Sequence, residues 1–383
     1  MKEAAMTTVG VLRETAEHER RVALTPEAAR RLRDRGIAVL VECDAGKRSW
    51  YGDRQYLLAG AALGDREQVY RDSDVLVCLA PPPDADRARR GQMLVGLLAP
   101  LSDPAWAKRL AAAGVTAISL DLLPRTLSRA QPMDALTSQA NVAGYKAALV
   151  AAEAYGGYFP LLMTAAGTVR PAQVLVLGAG VAGLQAMATA RRLGAVVTGY
   201  DVREQARADI TSTGAAVLDA GGPQVSSADG YARALTAEQS EAQRQLLEAA
   251  AARFDIVITT ARVPGRRPPL LIRAAALAGL RPGSIVVDLA AGPDGGNVEG
   301  SVPGTTAVLG GVTLIAAGDL AATVPRAAST AYARNLLALL ETLMPGGVPM
   351  PDLTDEIHAA VTVSHAGEVV HPAVRKLLEA NEP

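Results

Sequence analysis

Two stretches of the chain hold residues whose types and spacing could do chemistry. The first is "QVLVLGAGVAGLQAMATARRLGAVVTGYD", where a strand-like run ends at Leu177 and three glycines follow, Gly178, Gly180 and Gly183. Such spacing suits a tight turn, a close backbone approach to a pyrophosphate, and close packing of a helix on a strand. A helix then runs to Leu193, Gly194 stops it, and a second strand ends in Asp201. The pyrophosphate would meet the backbone N–H groups around Val181, at the positive end of the helix. Asp201, with Val202 and Arg203 beside it, is placed to accept hydrogen bonds from an adenosine ribose. Its charge would repel a 2′-phosphate, which favours NAD over NADP, although the Arg203 guanidinium could pair with such a phosphate. A glycine turn in an empty α/β unit is the plainer alternative. The second stretch is "PRTLSRAQPMDALTSQANVAGY", in which Arg125, Arg129, Gln131, Asp134 and Thr137 crowd a proline-broken loop. No histidine, cysteine or lysine lies in that loop, so it holds polar groups for binding but no ready proton donor. Asp134 could also simply cap the helix that follows.

The rest of the chain must position these groups. At 383 residues it exceeds the usual size of a single core, so two domains are expected. Apolar residues make up 49% and aromatics 3%, a balance suited to layers of helix and sheet in close approach. Net charge is −1, with acids and bases interspersed, and nucleic acid is not an expected partner. The two cysteines, Cys43 and Cys78, have neither metal-ligand spacing nor a disulfide framework, which fits a reducing compartment, and no metal site is expected. The start lacks the apolar run of a secretory signal, and the most apolar long segment, around 143–163, is interrupted by Lys146 and Glu153. A soluble chain without membrane insertion is the expectation.

Strand-like runs "TTVGVL", "IAVLVE", "DVLVCLA", "MLVGLL" and "VTAISL" fill the first third, separated by helical segments. One of these segments has Thr25 as N-cap, Pro26 as first helical residue and Gly36 as stop; another has Ser102 or Asp103 as cap and Gly114 as stop. A second series follows: "QVLVLG", "VVTGYD", "FDIVITT", "SIVVDLA" and "VTLIAAG". Helical stretches at roughly Ser138–Tyr155 and 328–344 flank it. The pattern predicts an α/β protein of two doubly wound, Rossmann-like or flavodoxin-like parallel-sheet domains joined by two long helices. The second domain, 138–328, is inserted in the first, 1–137 plus 329–383, and the tail packs back on the first.

Further blocks recur in one order with these: "RETAEHERRVALTP", "MTAAGTVRPAQVLVLGAG", "GGYARAL", "ITTARVPGRRPP" and "VVDLA" before "GGN". The whole string resembles the alanine dehydrogenase/transhydrogenase family over nearly the full chain. Within it the sequence looks most like the soluble NAD(H)-binding subunit, or domain I, of proton-translocating NAD(P) transhydrogenases. The resemblance implies NAD(H) bound by this chain, NADP(H) on a partner subunit, a homodimer, and a cytoplasmic place peripheral to the membrane through membrane-spanning partners. Because the sequence ends without a spanning segment, those partners are expected to be separate polypeptides. It also implies site residues: Arg125, Asp134 and Thr137 at the dihydronicotinamide, Ser138 beside them, and Gln131 reaching toward the partner-bound NADP. The family motif has one residue fewer between its Arg and Gln than "RTLSRAQ", so Arg129 competes with Arg125, and Thr137 replaces a serine. Tyr231 would be the lid residue of a mobile loop and Gly265 would approach the cofactor; a polar surface connection and a Pro-Gly turn are the plainer readings of those two segments.

Alanine dehydrogenases are the rival within the family, since they bind pyruvate with a lysine and use a histidine. Leu79 stands about where the lysine would be, and Leu97 or Leu98 where the histidine would be. Reductive amination needs a proton donor and a carboxylate anchor; hydride transfer between two nicotinamides needs neither, only alignment of the rings. Arg20 and Arg21, where alanine dehydrogenase anchors pyruvate, are then expected to be structural ion-pair residues. His18, His358, His365 and His371 are read as surface residues. An alanine-dehydrogenase-like enzyme on a small 2-oxo acid and a catalytically silent NAD-binding protein are the alternatives. "AAGPDGGN", Ala290–Asn297, is a glycine-rich loop expected near the nucleotide crevice.

Overall fold

A computed structural model of the chain describes residues 6–219, 235–262 and 267–380. The chain divides into two compact units, Met1–Gln139 with Val324–Pro383, and Ala140–Thr323.

In the first unit, runs of β-branched and aliphatic residues form β1 (Thr8–Val11), β2 (Ala38–Glu42), β3 (Ala62–Gly64), β4 (Val75–Val77), β5 (Met93–Gly96) and β6 (Thr116–Ser119). Helices α1 (Pro26–Asp34), α2 (Asp53–Leu58), α3 (Arg66–Asp72) and α4 (Pro104–Ala112) alternate with them. Their ends follow local chemistry. Thr25 accepts a hydrogen bond from the Ala28 N–H and Asp103 from the Trp106 N–H, each with proline next in the helix. Gly36 and Gly114 close α1 and α4 at φ of +77° and +74°. Helix α5 (Ala135–Ala154) starts three residues before the expected position, because Asp134 supplies its first-turn cap.

The second unit carries a hairpin, β7 (Leu162–Thr164) and β8 (Gly167–Val169), then β9 (Gln173–Leu177), α6 (Val181–Arg192), β10 (Val196–Tyr200), α7 (Ala206–Ser212) and β11 (Ala216–Val217). After these come α8 (Ala237–Ala251), β12 (Ile256–Thr259), α9 (Ala274–Leu277), β13 (Ile285–Asp288), β14 (Thr305–Leu309) and β15 (Val312–Ala316). The chain then returns to the first unit with α10 (Pro325–Leu343), α11 (Glu356–Val361), β16 (Thr362–His365), β17 (Glu368–Val369) and α12 (Pro372–Ala380). Thus α10 begins three residues before the expected 328, with Pro325 at its first position.

Among the described residues the first sheet has the order β17-β16-β6-β5-β4-β1-β2-β3, parallel from β6 through β3, with β16 and β17 added antiparallel. The second sheet has the order β11-β10-β9-β12-β13-β15-β14, parallel except for β14. Alternation along each strand divides each unit into two apolar layers. Val9, Val39, Val75 and Val95 face one side of the first sheet, and Leu40, Leu76 and Leu94 the other. In the second sheet Val174, Ile256 and Ile285 face one side, and Leu175, Val257 and Val286 the other. Each unit is therefore a doubly wound α/β layer structure, and the chain is α/β as its pattern predicts. Among the strands absent from the sequence reading, β3 has three residues, β11 two, and every residue of β14 is exposed, so no alternation marks it.

Candidate functional site

Strand order reverses next to β9 in the second unit, since β10 and β11 lie to one side and β12, β13 and β15 to the other. Ligands of doubly wound sheets sit at the carboxyl ends of the strands at such a switch point. The turn out of β9 has the form a dinucleotide requires. Gly178 is at φ +106°, and a Cβ there would come 2.6 Å from Thr260 Oγ1. A Cβ on Gly183 would collide with the Gly178 carbonyl oxygen, so only glycine lets α6 pack this close to the turn. Gly180, the N-cap of α6, is different: a Cβ there meets nothing within 4 Å. The sequence keeps a bare backbone facing open space, next to first-turn N–H groups that an α-helix leaves without internal partners. Helix α6 ends at Arg192, one residue before the expected Leu193, and Gly194 follows at φ +97°.

Asp201 follows β10 and binds this turn directly. Its Oδ2 accepts the Ala179 N–H at 2.8 Å, and its Oδ1 accepts the Arg203 backbone N–H at 2.9 Å. The Arg203 side chain closes on both oxygens, Nε at 2.9 Å and Nη2 at 3.0 Å. A carboxylate offers about four acceptor positions, and all are taken here. Asp201 therefore fixes the glycine turn to the end of β10, with half-buried Val202 between the ion-pair partners. Tyr231 and Gly265 lie outside the described residues.

Three further residues shape this crevice; local pattern singled out neither Thr260 nor Asp288, and marked Asn297 only as the end of a glycine-rich loop. Thr260 Oγ1 donates to the Gly178 carbonyl at 3.1 Å. Asn297, fully buried, accepts from the Ala261 N–H at 2.9 Å and donates from Nδ2 to the Ala261 and Pro269 carbonyls at 2.9 and 2.8 Å. Asp288 is also fully buried and accepts from Thr259 Oγ1, Ala290 N, Val298 N and Ser301 Oγ. Together these hold the loops that leave β12 and β13, including the glycine-rich Ala290–Asn297 segment.

In the first unit, the loop before α5 gathers three of the expected residues. Arg125 Nε donates to Asp134 Oδ2 at 3.0 Å and its Nη2 to Thr137 Oγ1 at 2.7 Å. Asp134 also accepts from Thr137, the backbone N–H at 2.8 Å and the hydroxyl at 2.6 Å. Capping and ion pairing are thus done by one carboxylate. Gln131 is exposed, and its side chain makes no hydrogen bond among the described residues. Ser138, half-buried, donates to the Ala135 carbonyl at 3.1 Å. Arg129 lies apart from the cluster: its Nη1 pairs with Asp355 Oδ2 at 2.6 Å and pulls that carboxyl down to about 2.

Leu79 and Leu98 are buried, and Leu97 is half-buried. Arg21 is buried in a two-pronged pair with Glu19, at 2.8 and 2.6 Å, and bonds Gln139 Oε1 at 2.9 Å. Arg20 departs from the ion-pair expectation, since its guanidinium lies over the Trp50 ring, 5.5 Å from the centroid. The histidines need a correction too. His18 is exposed, but His358 is buried, with Nδ1 accepting from the Asp352 N–H and Nε2 3.0 Å from Thr342 Oγ1. His365 and His371 are half-buried, and burial lowers the pKa of His371. Among the described residues no cluster of His, Cys, Asp and Glu could hold a metal ion, and no helix is long and apolar enough to cross a membrane.

Residues 10–143 match the N-terminal domain model of alanine dehydrogenase/PNT, and residues 147–372 match its C-terminal domain model. The chain belongs to the alanine dehydrogenase/PNT family. It is 37% identical to the NAD(P) transhydrogenase subunit alpha of Haemophilus influenzae over 95% of this chain and 72% of that one. With the NAD(P) transhydrogenase subunit alpha of Cereibacter sphaeroides it shares 37% identity over 95% of this chain and 71% of that one. The crystal structure of transhydrogenase from Sinorhizobium meliloti superposes with a TM-score of 0.83 at 38% identity, covering 96% of this chain and 99% of that one. As an alanine dehydrogenase/PNT family member the chain is related to nicotinamide-nucleotide oxidoreductases, and these two relatives are named transhydrogenase alpha subunits.

Proposed function

We propose that this chain is the NAD(H)-binding component of a proton-translocating NAD(P) transhydrogenase, passing hydride between NADH and NADP+ held on a partner subunit. The observation that carries the reading is one chain with a glycine turn suited to a dinucleotide and a carboxamide-type polar cluster, but with Leu79, and Leu97 or Leu98, about where alanine dehydrogenases have a lysine and a histidine. When bound, the dihydronicotinamide supplies the hydride. The work left to this chain is binding and orientation.

The residues fit those tasks. Gly178, Gly180 and Gly183 leave bare backbone beside the α6 N-terminus for a pyrophosphate, with Val181 in the first turn. Asp201 carries the negative charge that selects a ribose hydroxyl over a 2′-phosphate; Arg203 releases part of that carboxylate when ribose binds. Arg125, Asp134 and Thr137 present donors and acceptors suited to a carboxamide, and their mutual hydrogen bonds preorganise them. Gln131, exposed and without a side-chain hydrogen bond among the described residues, would reach outward toward a partner-bound NADP(H). Ser138 stays with the helix start. We assign lid and cofactor-approach roles to Tyr231 and Gly265 from the family resemblance.

NADP(H)-binding and membrane-spanning subunits are the partners this reading needs, with proton movement through those subunits and activity only in their presence. A homodimer placed at the membrane surface through its partners completes the proposal. The test is to mix the purified chain with an isolated NADP(H)-binding partner domain and measure hydride exchange. Exchange that requires both proteins supports the proposal. Ammonia-dependent oxidation of NADH by pyruvate with this chain alone would establish the alanine-dehydrogenase reading instead. Tight NADH binding with neither reaction would leave a silent nucleotide-binding protein.

A further inference from the structure

The first unit has a switch point of its own. Strands β2 and β3 lie to one side of β1, and β4, β5 and β6 to the other, so the loops after β1 and β4 part and leave a crevice at their carboxyl ends. A cavity of about 310 Å³ lies there, lined by Leu12, Glu14, Arg66, Cys78, Ala80 and Pro83 among others. It is no dinucleotide site. The segment after β1 reads "LRETAEHERR", without a glycine, and the next helix starts only at Pro26.

Charge is unevenly satisfied around this cavity. Arg66 is spent: Nε and Nη2 bond Asp84 at 2.7 and 2.6 Å, and Nη1 bonds Glu42 Oε2 at 2.8 Å. Arg13 leans on the same Glu42, 3.3 Å away. Glu14 has no such partner. Its Oε1 accepts the Leu79 N–H at 2.6 Å, and no ion pair reaches it among the described residues. Burial pushes its pKa up to about 7, against the opposing pull of the Leu79 N–H. The wall thus holds one carboxyl with no ion pair among the described residues, beside Arg13 and Arg66, whose guanidiniums are paired with Glu42 and Asp84.

We infer that this cavity binds a small organic ammonium ion, with Glu14 as its counter-ion and Leu12, Cys78 and Pro83 against the hydrocarbon part. An anion would meet Glu14, Glu42 and Asp84. An uncharged guest of the same shape would forgo the ion pair. This inference is independent of the nucleotide reading and falls or stands separately.

A titration of n-butylammonium chloride into the full chain, followed by calorimetry, tests it, with n-butanol as the uncharged probe. An opposite charge lowers a carboxyl pKa by roughly one to three units, so linkage makes ammonium binding at least about tenfold tighter to ionised than to protonated Glu14. Groups facing Glu14 are Glu19 and Arg21 after β1, Cys78 at the end of β4, and Tyr332 on α10. Burial raises the Cys78 thiol and the Tyr332 phenol, so neither replaces Glu14 as the titrating group near neutrality. Expected results are saturable butylammonium binding at pH 8 and weakening as pH falls below about 7. A Glu14→Gln variant with an unimpaired melting curve should bind about tenfold less tightly. Absence of saturable binding by the folded wild type, equal affinity for butanol, or affinity indifferent to pH between 5 and 8 would each overturn the proposal. The pH series uses wild type alone, so it decides the matter even if the variant misfolds.

Discussion

Asp134 does two things with one carboxylate: it caps α5 through the Thr137 N–H and pairs with Arg125. Substitution can separate them, because asparagine is as good an N-cap as aspartate but carries no charge. Asp134→Asn should therefore melt within about 1 kcal/mol of wild type and lose roughly tenfold or more in hydride exchange. Gln131→Ala should lower exchange with no change in melting; unaltered exchange in both variants would remove the loop from the mechanism. The two loop arginines separate in a similar way. Arg125→Ala should impair exchange, whereas Arg129→Ala should leave exchange intact and act only on acid stability. Asp355 has its carboxyl lowered from 3.8 to about 2 by the Arg129 hydrogen bond. A depressed carboxyl contributes stability that is present above the unfolded value and lost as pH falls through the folded one. The cost of Arg129→Ala should thus be small near pH 7, as for exposed pairs, and should be largely lost as pH drops from about 4 to 2. A cost that persists at pH 2 would contradict this account of the pair.

The glycine turn shows which elements a sequence discloses. Gly178, Gly180 and Gly183 were legible because their constraints are local: a positive φ, an approach space, and a helix packed on its own turn. Gly183→Ala should push α6 off β9 and destabilise by about 1–3 kcal/mol, and with it NADH affinity should fall; an alanine variant with native melting and native binding would refute the packing argument. Asp201→Ala should weaken NADH binding and also loosen the turn, since it removes the acceptor of the Ala179 N–H. Caps at Thr25 and Asp103 were readable for the same local reason. Asn297 was not, because the Ala261 groups that it bonds lie 36 positions away. His358 likewise depends on Thr342, 16 positions earlier, which no periodicity announces. Strand β14 escaped notice because neither of its faces is buried.

On the scale of the whole chain, alternating strand and helix patterns disclosed the α/β class, and two series of strands disclosed two sheets. The tail was harder to read: Thr362–His365 is a short polar-flanked strand whose place beside β6 is set by tertiary pairing rather than by its own composition. Function at this scale rests on what the molecule lacks as much as on what it holds. In the proposed reading, Leu79 and either Leu97 or Leu98 stand about where an amination enzyme of this family would anchor a carboxylate and move protons, which would leave the chain the task of aligning a reduced coenzyme with an acceptor that needs no proton. The most direct measurement is to follow deuterium from NADH labelled at the transferable C4 position, in the presence of this chain, an NADP+-loaded partner domain, pyruvate and ammonium. The account predicts deuterium recovered in NADPH, with none in alanine or water. Label appearing in alanine, or exchanging into solvent before it reaches NADPH, would contradict it.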